Sequence, residues 1–562
     1  MNTNNSFLET SWKQIDKLDS SEVFNTAQKN NLSITLSELL ITRKVTHVKS
    51  FLSSKLKDNI NFNKIEKLAN IEKTQIFFNE VKEVKKVGIF SDYDVDGACS
   101  AAILKNILSQ FDIEVEVYIP NRLSEGYGPN PLAVKKLLEN NSHIIFLDCG
   151  SNNLDEQKLV RENGSQLLII DHHECGDVFE DVILINPKYN KDQSVLNDLC
   201  TTSLVFLVVF YLIKKEIFNN KDILQYLDLV ALATICDLVP LNAINRSFVK
   251  QGLIILNSDN KNKGLMTLIN EAKIKQAISE YHLGYVLGPR INAGGRMGES
   301  YLGYNLLSSP NIHLAAQYSS VIGGKNQERQ KIQTSIINSI HERQKDHQDL
   351  INFYYDATWH IGVLGIIAGR LMRTNKRPSF VMTDSDQFIV GSGRSLGGLN
   401  IGTLMMEATE KGIIIKGGGH SKACGFTLDK ESWQAFKLFL IDKFTGSEVD
   451  QENYYEVTLD LTVINDNLLK DLDLLSPFGQ SNPEPIFKSE NVKLKILNVF
   501  KEKHMKCKLS DNLGNSIIGM MFDSNVESFK AYIAKKTEFD CYYKVKRDTY
   551  SSNVIVHIED IH

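Results

Sequence analysis

Three aspartates at alternate positions, Asp92, Asp94 and Asp96, stand directly before Gly97 in SDYDVDG. Carboxylates so spaced, just past an apolar run, can converge on a hard cation. D-x-D-x-D-G also opens a calcium loop, which needs a bidentate glutamate at its twelfth position. Counting Asp92 as the first, the twelfth residue here is Ile103, and the preceding Val87-Gly88-Ile89-Phe90 reads as a strand, so the calcium reading fails. Alone, the triplet leaves a solvated acidic turn and a catalytic cluster both open. A second cluster decides between them. Asp171-His172-His173 ends another apolar run, and two adjacent histidines there have little packing purpose. Mixed carboxylate and imidazole ligands suit Mn²⁺ or Mg²⁺. Asp148 ends an intervening run and is placed to bridge two ions. Asp237, in ALATICDLVPL, can complete the set or simply end an apolar helix.

These residues need elements that bring them together. From Lys86 onward, short apolar runs end in acids or histidines: 87–90 in SDYDVDG, 144–147 in DCGS, 167–170 in DHH, with 182–185 following. Helical stretches such as 98–109 and 131–139 separate them. Continuous apolar runs alternating with helices imply parallel strands covered on both faces, and such sheets bind ligands beyond the carboxyl ends of their strands. The expected fold is therefore α/β, in several parts. A polar helical extension over 1–84 precedes a catalytic domain at 85–311, and a long connecting helix spans 312–348. A second α/β lobe occupies 349–445, and alternating strands over 446–562 predict a small OB-fold-like barrel.

Phosphate-binding groups recur outside the acidic clusters. Arg290, Asn292 and Arg296 lie in GPRINAGGRMG, read as a glycine-rich loop where arginine forks meet phosphate or as a plain turn with surface arginines. Ser392, Arg394 and Ser395 in GSGRS make another phosphate-sized group, supported by Gly419 and His420 in GGGH. The tail carries Lys493, Lys495, Lys501, Lys503, Lys506 and Lys508 with Phe500 and Phe522, a pattern shared by single-strand grooves and ordinary solvated faces.

Composition sets outer bounds. At 562 residues the chain is too long for one core. The net charge of -5 places any nucleic-acid affinity in local patches. Eight scattered cysteines without a CxxC pair indicate neither zinc nor disulfides, and fit a reducing cytoplasm. The first residues lack a signal peptide's basic and apolar regions. The apolar stretch 199–213 is too short and too interrupted to span a membrane, and reads as a buried helix.

The order DYDVDG, LDCG, DHH and TICDLVPL resembles the motif series of the DHH phosphoesterase superfamily. LGPRINAGGRMG, WHIGVLGIIAGRL, GSGRS, GGGHSKACGF and PFGQSNPEPIF resemble its RecJ family, over roughly residues 91–487. Glu174 departs from the apolar residue that many relatives carry after DHH. The resemblance implies a single-stranded-DNA-specific 5′-to-3′ exonuclease of recombination and repair that releases 5′-mononucleotides. It implies two divalent ions, Mn²⁺ or Mg²⁺, on Asp94, Asp96, Asp148, His172 and Asp237, with Asp92 as ligand or support. His173 would face the scissile phosphate. Ser392 and Arg394, with Arg122, would take the 5′-terminal phosphate. A monomer is expected, with single-stranded DNA as partner, a helicase and a single-strand-binding protein as further partners, and no membrane. Two other readings use the same fold: a phosphodiesterase of cyclic dinucleotides or short RNA, and a catalytically silent replication scaffold.

Overall fold

Aliphatic runs with buried flanks become the strands of a parallel sheet. A computed structural model describes residues 6–15, 18–189, 196–219, 222–343, 350–445, 452–548 and 551–562. The chain forms two units, one of Ile60–Val239 and Gln251–Asp450, the other of Met1–Asn59, Pro240–Lys250 and Gln451–His562.

In the first unit, Lys86–Ser91 (β1), Glu114–Tyr118 (β2), His143–Leu147 (β3), Gln166–Ile170 (β4) and Ile183–Ile185 (β5) form one sheet in the order β2-β1-β3-β4-β5. Every pairing in it is parallel. All five residues of β3 are buried, as a strand covered on both faces requires. Ile144, Phe146, Leu167 and Ile169 pack with Val134, Leu137 and Val160 on one face. β2 escapes a search for continuous apolar runs because EVEVY alternates glutamate with valine, the pattern of an edge strand.

Helices Val95–Leu108 (α1), Thr201–Lys214 (α2) and Leu227–Cys236 (α3) pack on one another. α2 is the buried helix expected from its composition, with eleven of its residues out of solvent. No helix among the described residues is long and apolar enough to cross a membrane. After Gly288–Arg296 (α4) comes the long helix Ile312–Arg343 (α5). Residues 344–348 of the expected connecting helix, and the expected boundary at 446, lie outside the described residues.

The second lobe holds Asn352–Tyr355 (β6), Ser379–Ser385 (β7), Phe388–Arg394 (β8), Lys416–His420 (β9) and Ala423–Asp429 (β10), in the order β9-β10-β8-β7-β6. Only β6 and β7 run parallel. Helix Leu364–Asn375 (α6) packs on β7 and β8.

In the other unit, Phe487–Phe500 (β11), His504–Ser510 (β12), Ser516–Met521 (β13), Phe539–Arg547 (β14) and Val554–Ile561 (β15) form a barrel in the order β11-β12-β13-β15-β14. Pairing of β14 with β11 closes it. The amino-terminal segment supplies part of its core. Leu36, Leu39 and Leu40 are buried with Phe487, Met505 and Val556, and Arg43 pairs with Glu456 at 2.9 Å.

Arg246 is the largest fully buried side chain among the described residues. Its guanidinium donates to the carbonyls of Leu474 (2.8 Å), Leu475 (2.5 Å) and Ser476 (2.7 Å), the unpaired end of helix Asp466–Leu475 (α7). Its Nε reaches Phe51 O and Ser54 Oγ. Carbonyl dipoles at a helix end help to sustain this buried cation. Removing it takes the guanidinium donor from the carbonyls of Leu474 and Ser476, while Leu475 O keeps the amide of Asn482 at 3.0 Å. Arg246→Leu should therefore destabilise this unit by about 3 kcal/mol, read as faster hydrogen exchange across α7; unchanged exchange would show that other donors replace the guanidinium.

Candidate metal centre and its arginine neighbours

Four chain segments leave the parallel sheet or its covering helices and turn toward one point. Asp92 follows β1. Asp94 caps α1, its Oδ1 accepting from the N–H groups of Asp96 (2.8 Å) and Gly97 (3.1 Å). A β-carbon at Gly97 would lie 2.2 Å from Asp92 O, so this turn accepts only glycine. Asp148 follows β3 with φ of 60°, a left-handed conformation unusual for aspartate. Asp171, His172 and His173 follow β4, and Asp237 caps the end of α3.

His172 Nε2 lies 3.4 Å from Asp237 Oδ2, 3.6 Å from Asp148 Oδ1 and 4.0 Å from Asp96 Oδ2. Three groups of side chains can each converge on a cation: Asp92, Asp94 and Asp148; Asp96, His172 and Asp237; and Asp148, His172 and His173. Asp148 and His172 belong to two groups each. His172 Nε2, Asp237 Oδ2 and Asp92 Oδ1 are buried without hydrogen-bond partners. Buried polar atoms ordinarily find partners, and these three aim into one acidic cluster. The donor set of carboxylates and imidazole fits Mn²⁺ or Mg²⁺.

Charge state follows from burial. Burial, then repulsion from neighbouring aspartates, raises the carboxyl groups of Asp92, Asp94, Asp148 and Asp237 above the ordinary range. Burial and the charge of His173 push His172 down to about 3, so its imidazole is neutral and able to ligate at neutral pH. Burial would also lower His173, yet the hydrogen bond and charge of Asp171 override it and raise the group. Asp171 Oδ1 meets His173 Nδ1 at 2.7 Å and accepts from the N–H of His172 at 2.8 Å. Asp171 is thus a brace for the histidines and belongs to none of the three ligand groups.

Beyond Tyr93 the sign of the charge reverses. Arg122 stacks over the Tyr93 ring at 5.0 Å, while burial and then the charge of Asp92 raise the phenol to about 12. Burial, then the charges of Arg122, Arg329 and Arg394, pushes Arg296 down to about 9. Arg394 is also lowered, by burial and by Arg122. Among the described residues, none of these four arginines is seen paired with a carboxylate. Arg394 donates to Ser392 Oγ at 3.1 Å, and Arg296 to Gly362 O at 3.2 Å.

The remaining sequence candidates have other places. GPRINAGGRMG is a correction: residues 288–296 form a helix and not a loop. Its glycines serve helix packing, since a β-carbon at Gly288 would lie 2.3 Å from Cys236 Sγ. On that helix Arg290 pairs with Glu271 at 3.1 Å and Asn292 is half-buried. Ser395 is buried in a turn, its hydroxyl donating to Gly397 O. Gly419 packs against residues 402 and 423, and His420 is exposed at the end of β9. Tyr93, Tyr127, Thr201, Thr202 and Arg329 went unread in the sequence. Tyr127 donates to Asp148 O at 3.0 Å beside His173. Only its position in the arginine-bearing NRLSEGYG segment hinted at it.

Because Asp148 is raised in the folded state, its charge costs stability above that raised value and costs nothing once pH falls below the ordinary carboxylate range. In EDTA at pH 8, Asp148→Asn should therefore melt higher than the parent. The gain should shrink on acidification and reverse in Mn²⁺, where the variant lacks a shared ligand. A lower melting temperature for the variant in EDTA at pH 8 would show that the carboxylate is not under repulsion.

Comparison with known proteins agrees with this arrangement. Residues 86–234 match the DHH family, N-terminal domain; residues 347–445 the DHHA1 domain; and residues 455–560 the RecJ OB domain. The single-stranded-DNA-specific exonuclease RecJ of Bacillus subtilis is 30% identical over 501 residues, covering 86% of this chain and 62% of its own length. The chain thus spans less than two thirds of that relative. The Escherichia coli protein of the same name is 28% identical, over 78% of this chain and 81% of its own. The crystal structure of Thermus thermophilus RecJ in complex with Mn²⁺ superposes with a TM-score of 0.84 at 21% identity, covering 98% of this chain and 79% of that one. The chain thus carries a DHH N-terminal domain, a DHHA1 domain and a RecJ OB domain in that order, and it is similar over most of its length to RecJ proteins, whose fold it shares.

Proposed function

We propose that the chain is a metal-dependent, single-stranded-DNA-specific 5′-to-3′ exonuclease that releases 5′-mononucleotides. The observation that carries this reading is the pairing of an acidic cluster with an acid-free arginine cluster, one side chain apart at Tyr93. A cation-binding group and a phosphate-binding group so close suit a strand whose terminal phosphate is held while the next phosphodiester is cut. The names of the relatives, which act on single-stranded DNA, point the same way.

Asp94, Asp96, Asp148, His172 and Asp237, with Asp92 beside them, would hold two divalent ions. Such ions supply an activated water and offset charge on the phosphoryl and leaving oxygens. His173 has Nδ1 on Asp171, and its Nε2–H, now 3.4 Å from the Tyr127 hydroxyl, would turn to a phosphate oxygen in the transition state. Arg122, Arg296 and Arg394, with Ser392, would seat the 5′-terminal phosphate. Arg329 joins them from α5, its NH2 on Asn326 Oδ1 at 2.9 Å and its Nε without a partner.

The barrel adds a surface of its own. Lys495 faces Lys508 directly across the β11–β12 pair, and both are exposed. Like charges opposite one another weaken a sheet unless a polyanion lies over them. Phe500 and Phe522 are exposed in the same barrel, as rings that stack on bases would be.

Digestion of 5′-labelled single-stranded DNA in Mn²⁺, against a blunt duplex and a cyclic dinucleotide, tests the assignment. Release of labelled mononucleotide from the single strand alone is expected; preference for the cyclic dinucleotide, or no hydrolysis, would select one of the other readings of the fold. Arg394→Ala then isolates end recognition. One charge-assisted contact is worth about 1.5–3 kcal/mol, so activity on 5′-phosphorylated strands should fall roughly ten- to hundred-fold. Strands with a 5′ hydroxyl should lose much less. Equal losses on both ends would remove Arg394 from phosphate recognition.

A further inference from the structure

Helix α2 opens Cys200-Thr201-Thr202-Ser203 before its run of aliphatic and aromatic residues. Thr201 and Thr202 are completely buried, so each of their polar atoms needs a partner. The partners are the acidic cluster. The N–H of Thr201 donates to Asp96 Oδ2 at 2.7 Å, and that of Thr202 to Asp96 Oδ1 at 2.8 Å. Thr201 Oγ1 donates to Asp148 Oδ1 at 2.9 Å, and Thr202 Oγ1 to the carbonyl of Asp96 at 3.0 Å. One residue therefore grips two carboxylates carried by different parts of the sheet: Asp96 from the segment after β1, Asp148 from the end of β3.

We infer that Thr201 is a positioning residue of the metal centre, fixing the Asp148 carboxylate relative to Asp96. The inference rests on the reading of the cluster as a divalent-metal site. Asp148 belongs to two of the three candidate ligand groups, so a rotation of its carboxylate disturbs both. Its backbone holds a left-handed conformation, and Tyr127 holds its carbonyl. Neither contact sets the side-chain torsion. The hydroxyl of Thr201 reaches the side chain itself. Threonine is also branched at Cβ, which limits its rotamers and makes the donor stiff. A hydroxyl wanted only for packing could be replaced by a methyl group, whereas one that orients a ligand could not.

Thr201→Val keeps the shape and removes the donor; Thr201→Ser keeps the donor and trims the shape. Mn²⁺ binding to the full EDTA-stripped chain is measured by calorimetry, alongside KM for single-stranded DNA. Loss of a residue that orients a metal ligand typically weakens metal affinity 10–100-fold, so Thr201→Val should show about that loss and Thr201→Ser less than about threefold. KM for DNA should hold constant at saturating Mn²⁺. If valine disrupts folding, Thr201→Ala carries the same comparison. Mn²⁺ affinity that is unchanged in Thr201→Val, or equally weakened in the serine variant, would overturn the inference. A parent chain that took up no Mn²⁺ would overturn the metal-centre reading and the inference with it.

Discussion

Mutual repulsion among aspartates crowded at one edge of a sheet is the constraint on which the first lobe depends. Like charges a few ångströms apart and out of water raise one another's energy steeply, and no lysine or arginine pairs with Asp92, Asp94, Asp96, Asp148 or Asp237 among the described residues. Relief comes from dipoles. The first turn of α1 gives two N–H groups to Asp94, the first turn of α2 gives two to Asp96, and the backbone after β4 braces Asp171. Each of these is a helix or strand end, so the secondary structure does the electrostatic work that counter-ions would do elsewhere. Protonation or bound cations complete the neutralisation.

This explains what could and could not be read from the sequence. Acids and histidines at the ends of apolar runs located the ligand groups, because parallel strands oblige their carboxyl ends to meet at one edge. Thr201 and Thr202 gave no such signal. They sit inside an apolar run, and only the crossing of α2 over the sheet edge brings them to Asp96. Tyr93 was hidden between two aspartates that drew the attention. Arg329 lay on a helix whose polar composition resembled a solvated connector. β2 was absent from the apolar runs because EVEVY alternates glutamate with valine. The glycines of GPRINAGGRMG were taken as loop formers. Local composition favours that, and only the sulfur of Cys236 pressed against Gly288 shows why a helix must be glycine-rich there.

A net charge of -5 over the chain concealed the feature that matters most. Summed over 63 basic and 68 acidic residues, it says nothing of aspartates gathered at one edge or of the arginines near them. The lysines of the barrel were legible in the sequence, and the structure adds that Lys493 and Lys495 lie on one strand and Lys506 and Lys508 on its neighbour. Segment-by-segment charge would have shown these contrasts, although the stacking of Arg122 on Tyr93 arises only in three dimensions.

Tyr93 has a consequence beyond separating opposite charges. It is bonded on one side to Asp92 and followed directly by Asp94, its ring is covered by Arg122, and a β-carbon built at Gly295 of α4 would lie 3.5 Å from it. The ring that carries Arg122 is therefore tied to two of the acids through consecutive residues of one turn. In the language of metrology, such a turn would act as a gauge block: under the proposed function, the span from a held chain end to the point of scission would have one length. A polymer fed through such a gauge would be shortened by a constant increment at each cycle, whatever its sequence or total length.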